Sequence, residues 1–179
     1  MLDGTKSDSV WAYTADILKQ SNIITEIDQR LLIENLKKTK HYTNFSQYND
    51  LFNKVKKVTT MDDLLQIKPG ELVVFTEALP NPSRPAHTMV NIGNGRFAGI
   101  KNSLLDVNLG DGKKIITATQ LGQFNNGVLK QNSSLNSAGL NVWAGYPQGA
   151  KYSYGQPIEV VAKKLAAESI ANSASIHYF

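Results

Sequence analysis

Two side chains that could act together in catalysis, an imidazole and an amide, flank a predicted β-hairpin. His87 lies near the start of a strand predicted over residues 86–92, and Asn94-Gly95 is the strongest short-range signal for a hairpin turn. With these two residues at the centre of the turn, counting outward along both strands places His87 opposite Asn102. Opposed residues share a face of the sheet, so the amide would orient the imidazole as a general base. A β-bulge in the hairpin would break this register.

A hydroxyl group begins the first predicted helix. Asp8 or Ser9 is suited to cap a helix that extends to about Gln20. A nucleophile at a helix N-terminus gains from the helix dipole and from free backbone N–H groups, which could also stabilise an oxyanion. Taken alone, the segment favours the simpler role for Ser9, which is that of a cap.

Three stretches of the sequence resemble the bacterial NlpC family, papain-like cysteine peptidases and amidases of the cell wall. Residues 69–75, PGELVVF, resemble the family strand PGDLVFF, and residues 87–97, HTMVNIGNGRF, resemble the start of HVGIYIGNGRFIHA. Residues 8–23, DSVWAYTADILKQSNI, lie where the family has DCSGFVQYVFKQAGI, the helix that carries its nucleophile. The order of helix, strand and histidine strand is the same, and the resemblance covers the first two-thirds of the chain.

The resemblance implies a papain-like (NlpC-like) α+β fold, in which N-terminal helices and a C-terminal helix accompany an antiparallel β-sheet. Two residues depart from the family pattern. Ser9 occupies the position of the cysteine nucleophile, and the chain has no cysteine. The family's third catalytic residue, a histidine, would fall on Gly99, so Asn102 is the candidate third residue and Asp106 the alternative. The implied catalytic set is Ser9, His87 as the base, and Asn102.

The chemistry implied by the resemblance is acyl transfer at an amide, as in a peptidase, a peptidoglycan amidase or a glutamine deamidase. A hydroxyl is far less ionised than a thiol near neutral pH, so we expect this form to be inactive or feeble. Serine engineered in place of a native cysteine is the expected explanation, and a natural serine variant or a pseudoenzyme is the alternative. Such domains also occur as toxin modules of bacterial effectors. That implies a larger carrier, action in a target cell and an immunity protein as partner.

The composition is that of an ordinary globular domain. The 179 residues are 41% hydrophobic and 19% charged, which predicts one domain. We expect a helical part over residues 1–68, a sheet part over 69–150, and a C-terminal helix and tail over 151–179. No apolar run is long enough to span a membrane, and no signal peptide is visible. Because the chain starts just before Ser9, we expect a domain cut from a longer protein that is secreted or delivered by a bacterium.

Hydrophobic periodicity predicts helices in the first third of the chain and strands in the middle. Inward-facing positions on the second helix are expected at Ile27, Leu31, Leu32 and Leu36. Helices are predicted over residues 8–20, 25–39, 44–58 and 61–66, a helical turn over 119–124, and a final helix from 157 to about 172 followed by a frayed tail. Strands are predicted over residues 71–76, 86–92, 96–101, 104–109, 113–118, 128–130 and 139–146.

Two alternatives belong to other functional classes. One is an RNA-cleaving toxin domain that uses His87, Tyr152 or Tyr154 and a lysine-rich surface, and binds RNA with strong salt dependence. The other is a non-catalytic binding module in which Ser9 and His87 are structural. The net charge is only +4, so a solvated surface is the simpler explanation of the lysines. The lysines concerned are Lys37, Lys38, Lys40, Lys54, Lys56 and Lys57.

Neither a metal nor a cofactor is expected, because the three histidines lack metal-ligand spacing.

Overall fold

The computed structural model describes residues 12–78, 85–100, 113–130, 139–151 and 157–177. Within these ranges, the chain forms helices and the strands of one sheet. The α-helices are α1 (residues 12–20), α2 (Glu26–Lys38), α3 (Met61–Leu65), α4 (Ala118–Leu121) and α5 (Ile158–His177), and two 3₁₀ helices cover Thr39–His41 and Phe45–Asp50.

The described strands form a single sheet in which every pair is antiparallel. Their order is β5-β4-β3-β2-β8-β7-β6, and β1 also pairs with β8. This arrangement confirms the predicted α+β class with an antiparallel sheet. The strands are β1 (Lys56–Val58), β2 (Leu72–Glu77), β3 (Pro85–Gly93), β4 (Arg96–Ile100), β5 (Lys113–Thr117), β6 (Gln123–Asn125), β7 (Val128–Lys130) and β8 (Leu140–Gly145).

The sheet separates two hydrophobic cores. The first, called core 1, joins α1, α2 and α5 to Leu72 and Val74 of β2. The second, core 2, joins α3 and α4 to Val73 and Phe75 of the same strand. Since successive side chains of a strand point to opposite faces, β2 supplies both cores in alternation. This explains its continuous apolar run, which is typical of a strand covered on both sides.

Helix α2 begins as its sequence predicts, but its buried face is narrower. The Thr25 hydroxyl accepts a hydrogen bond from the Asp28 amide at 3.1 Å, and the Asp28 carboxylate accepts one from the Thr25 amide. Leu32 and Leu36 are buried in core 1. The predicted burial of Ile27 and Leu31 is wrong, because their side chains are 70% and 52% exposed. These two form a neighbouring row on the helix surface, beyond the stripe that contacts the sheet.

The predicted third helix, over residues 44–58, is wrong beyond its first turns. Asn44 caps a short 3₁₀ helix, with its side chain accepting from the Ser46 amide at 2.9 Å. The chain then becomes extended: the Asn53 amide donates to the Tyr146 carbonyl at 2.9 Å, and β1 pairs with β8. Tertiary pairing with the sheet therefore overrides the helical periodicity of this segment.

Most other elements lie within two residues of their predicted positions, including α3, β2, β3, β7 and β8. Two predicted elements differ from the structure in their boundaries. The turn predicted over residues 119–124 is divided into α4 and β6, and α5 continues to His177, beyond its predicted end near residue 172. The strand predicted over residues 104–109 lies outside the described residues.

The hairpin between β3 and β4 has the predicted turn but not the predicted register. Asn94 and Gly95 both have positive φ, 54° and 69°, as a type I′ turn requires. Gly93 faces Arg96 as expected, yet Asn91 faces Phe97, which reveals a bulge next to the turn. The two described pairs beyond this bulge, Asn91–Phe97 and Val90–Ala98, are shifted by one residue. Counting from the turn therefore no longer supports Asn102 opposite His87, and Asn102 itself lies outside the described residues.

Candidate functional site

His87 is buried near the start of β3, where its ring finds no hydrogen-bond partner among the described residues. It pairs with Phe75 of β2, with ring centroids 6.3 Å apart, and is 5% exposed. Neither Nδ1 nor Nε2 has a partner among the residues that the structure describes. Desolvation by burial lowers the pKa of His87 from its usual 6.5 to about 3, so the imidazole is neutral at physiological pH.

The side chain of His87 belongs to the face of the sheet that carries core 2. Directly paired residues share a face, and its partner Phe75 packs in core 2, as does Met89 two residues further along β3. Helix α1 packs in core 1, on the other face. Helix α1 and the His87 side chain therefore belong to opposite faces of the sheet.

Helix α1 ends near the start of β2. Ile23, just after the helix, packs closely against Gly70, and its carbonyl accepts a hydrogen bond from the Lys151 amide at 2.6 Å. Nearer the N-terminal end, the Tyr13 hydroxyl donates to the Ala162 carbonyl of α5 at 3.0 Å. The C-terminal end of α1 therefore lies beside the start of β2, and its N-terminal part contacts α5. His87 lies opposite Phe75, in the second half of β2.

Of the predicted catalytic residues, His87 is the one whose surroundings the structure describes. Ser9, Asn102 and Asp106 lie outside the described residues, so their grouping with His87 stays a prediction. No family model, curated protein or solved structure matches this chain.

A second buried polar group, which the sequence argument missed, occupies the same sheet face. Glu77 ends β2 two residues after Phe75, and it pairs with Leu140 of core 2. Its Oε2 atom is buried and has no partner within the described part of the chain. The alternation of residues 73, 75 and 77 along a strand could have indicated that the carboxylate shares a face with His87.

A polar contact on the opposite face was also missed. The Trp143 indole donates from Nε1 to the buried Thr76 hydroxyl at 3.0 Å. Trp143 also stacks on Phe45, with centroids 3.6 Å apart, and the Lys57 ammonium lies 5.4 Å from its ring. These contacts hold the Trp143 indole between β2 and the 3₁₀ helix Phe45–Asp50. A structural role therefore accounts for this side chain.

The clustered lysines are exposed on α2, the following turn and β1. Lys56 approaches Glu71 at 3.7 Å, and Lys57 covers Trp143. Such partners favour a solvated, partly paired surface over a dedicated anion site. Tyr152 and Tyr154, the other residues of the RNA-cleaving alternative, lie outside the described ranges.

The described residues contain no convergent set of three or more histidine, aspartate and glutamate side chains able to hold a metal ion. Among the described helices, none combines the length and the hydrophobicity that crossing a bilayer requires.

Proposed function

We propose that the chain is a papain-like amide hydrolase domain in which His87 is the general base and Ser9 occupies the nucleophile position. Asn102, or Asp106 as the alternative, would orient the imidazole. The substrate class is an amide in a peptide, in peptidoglycan or in a protein glutamine. The proposal extends to a bacterial effector that is delivered as part of a larger protein and held in check by an immunity protein.

The environment of His87 is the observation that carries this proposal. Both nitrogens of the buried imidazole lack a hydrogen-bond partner in the described part of the chain, and buried polar groups in proteins are rarely left without one. Buried titratable groups with strongly shifted pKa values are common at functional sites. A nucleophile and an orienting side chain supplied from residues 1–11 and 101–112 would satisfy both nitrogens.

The neutral state of the ring suits a base that acquires its charge only when it takes a proton from the nucleophile. A thiolate beside the ring would favour the imidazolium and raise the pKa of His87 from about 3. Serine ionises far less readily, so it provides no such counter-charge. The proposed site is therefore suited to cysteine at position 9.

Restoring a thiol gives the direct test. Ser9→Cys would introduce the only cysteine in the chain, so its rate of alkylation by iodoacetamide reports one site. We expect the thiol pKa to fall below its usual value of about 8.5 and amide hydrolysis to rise at least about a hundredfold over the parent. Cell-wall muropeptides, unfolded peptides and protein glutamines are the three substrates to compare.

Two further variants in the Ser9→Cys background show whether His87 is responsible. His87→Ala should return the thiol pKa to its usual range and abolish the gained activity. His41→Ala, which removes an exposed imidazole, is the matched control and should change neither. An ordinary thiol pKa together with no hydrolysis of any of the three substrates would exclude the proposal.

A further inference from the structure

One cavity among the described residues lies on the core 2 side of the fold, away from the core 1 helices. One wall is the turn that joins β1 to α3, and the other is formed by α4 and the β6–β7 hairpin. Its volume is about 560 Å³. This lies within the range of roughly 300–1,000 Å³ that is usual for small-molecule sites.

Two of the side chains that line this cavity are apolar. Met61 of α3 and Phe124 of β6 both line it, and both are partly buried against core 2. Each therefore keeps one side packed on the protein while another part of its surface remains accessible. An accessible aromatic ring held by a core offers a flat apolar surface at little entropic cost.

The remaining lining side chains are hydroxyls and amides. Three threonines, Thr59, Thr60 and Thr119, contribute hydroxyl groups, and Gln123 and Asn126 contribute amides. None of the described side chains that line the cavity is charged. A site of this kind offers neither an ion pair nor a metal ligand set, so it selects for an uncharged ligand with many hydrogen-bonding groups.

The hydroxyls are already positioned by the protein. Thr60 accepts a hydrogen bond from the Asp63 amide at 3.1 Å, and Thr119 shares one with Thr117 at 3.1 Å. Each oxygen keeps further hydrogen-bonding capacity after these contacts. Asn126 has a φ of 55° in the tight turn that it forms with Gly127. This turn fixes the backbone from which the Asn126 side chain extends.

We infer that this cavity binds an uncharged carbohydrate of one to three sugar units. A sugar ring has an apolar C–H face that can lie against Phe124, while its hydroxyl edge can bond to the threonines and amides. The inference does not rest on the hydrolase assignment, because it concerns other residues and requires no reaction.

Binding can be measured by calorimetry and by amide chemical-shift changes with two neutral probes, the trimer of N-acetylglucosamine and maltotriose. We expect saturable binding of at least one of them, with an affinity that is the same at low and high salt. The shifts should be confined to residues of the α3, α4 and β6 corner. Comparing the affinities for the two probes shows whether the acetamido group contributes to binding.

Three substitutions test the residues. Phe124→Ala should weaken binding at least about tenfold and Gln123→Ala roughly fivefold. Gln66→Ala, which removes an exposed amide next to α3 that does not line the cavity, should change nothing. If Phe124→Ala unfolds the protein, Gln123→Ala still tests the inference, because Gln123 is exposed.

The inference is overturned if neither sugar shows saturable binding. It is also overturned if Gln123→Ala leaves the affinity unchanged, or if the affinity falls as salt is added. Hydrolysis by the Ser9→Cys protein is a separate measurement. Sugar binding without hydrolysis removes only the proposed function, and hydrolysis without sugar binding removes only this inference.

Discussion

At the scale of single residues, Gly145 shows how closely two backbones approach in this fold. A Cβ atom added there would overlap the carbonyl oxygen of Lys54, which precedes β1. We expect Gly145→Ala to lower the free energy of unfolding by ~3 kcal/mol, because a backbone atom in the β1–β8 pairing would have to move. Urea denaturation measures the change.

Gly99 provides the matched control for Gly145. It also lies in a strand, and its added Cβ would meet Met89 at 3.0 Å and the Thr88 carbonyl at 3.4 Å. The methionine side chain is flexible and can yield, so we expect Gly99→Ala to cost only about 1 kcal/mol. Equal effects of the two substitutions would show that the approach at Lys54 is not what requires glycine.

His87 should make the protein less stable in mild acid. Burial lowers its folded-state pKa to about 3, whereas the unfolded chain has the usual 6.5. Below about pH 6.5 the unfolded state takes up a proton that the folded state does not bind, so stability falls as the pH drops towards 3. The contribution of this group is at most about 1.4 kcal/mol per pH unit.

The measurement for His87 is the slope of unfolding free energy against pH between 7 and 4. His87→Gln should flatten that slope, while His41→Gln, at an exposed position, should leave it as in the parent. A slope that His87→Gln does not alter would contradict the buried, neutral imidazole, whatever the absolute stability of the variant.

At the scale of elements, local signals in the sequence predicted the starts of helices better than their faces. The capping box at Thr25 and the Asn-Gly turn are decided by neighbours a few residues apart, so the sequence reveals them. The exposure of Ile27 and the extended chain after Phe52 depend on which distant strand covers each segment. Periodicity alone contains no such information.

The candidate site was predictable to the same extent. The position of His87 near a strand start followed from the hairpin signal, but its burial was not predicted, and the bulge after Asn91 shifted the described pairs beyond it. One extra residue is enough to change which side chains are opposed, and sequence patterns rarely reveal it. The carboxylate of Glu77 was missed because the strand face had not been assigned.

The capping box of α2 gives an element-scale prediction. Thr25→Ala removes the hydroxyl that bonds the Asp28 amide and should destabilise the protein by ~1 kcal/mol. Thr43→Ala, at an exposed threonine with no described cap role, should cost much less. Urea titration of the two variants beside the parent makes the comparison. A loss of the same size in both would mean that the cap adds nothing to threonine's general contribution.

At the scale of the whole molecule, the sheet should couple the two cores into one unfolding unit, because β2 packs into both of them through alternate residues. Leu36→Ala in core 1 and Leu64→Ala in core 2 each leave a cavity and should cost ~2–5 kcal/mol. We expect both to shift the same single calorimetric transition, with calorimetric and van't Hoff enthalpies equal. If Leu64→Ala instead split the transition, α3 and α4 would form a separately melting layer, and the sugar cavity between them would lack the rigid base on which its preformed shape depends.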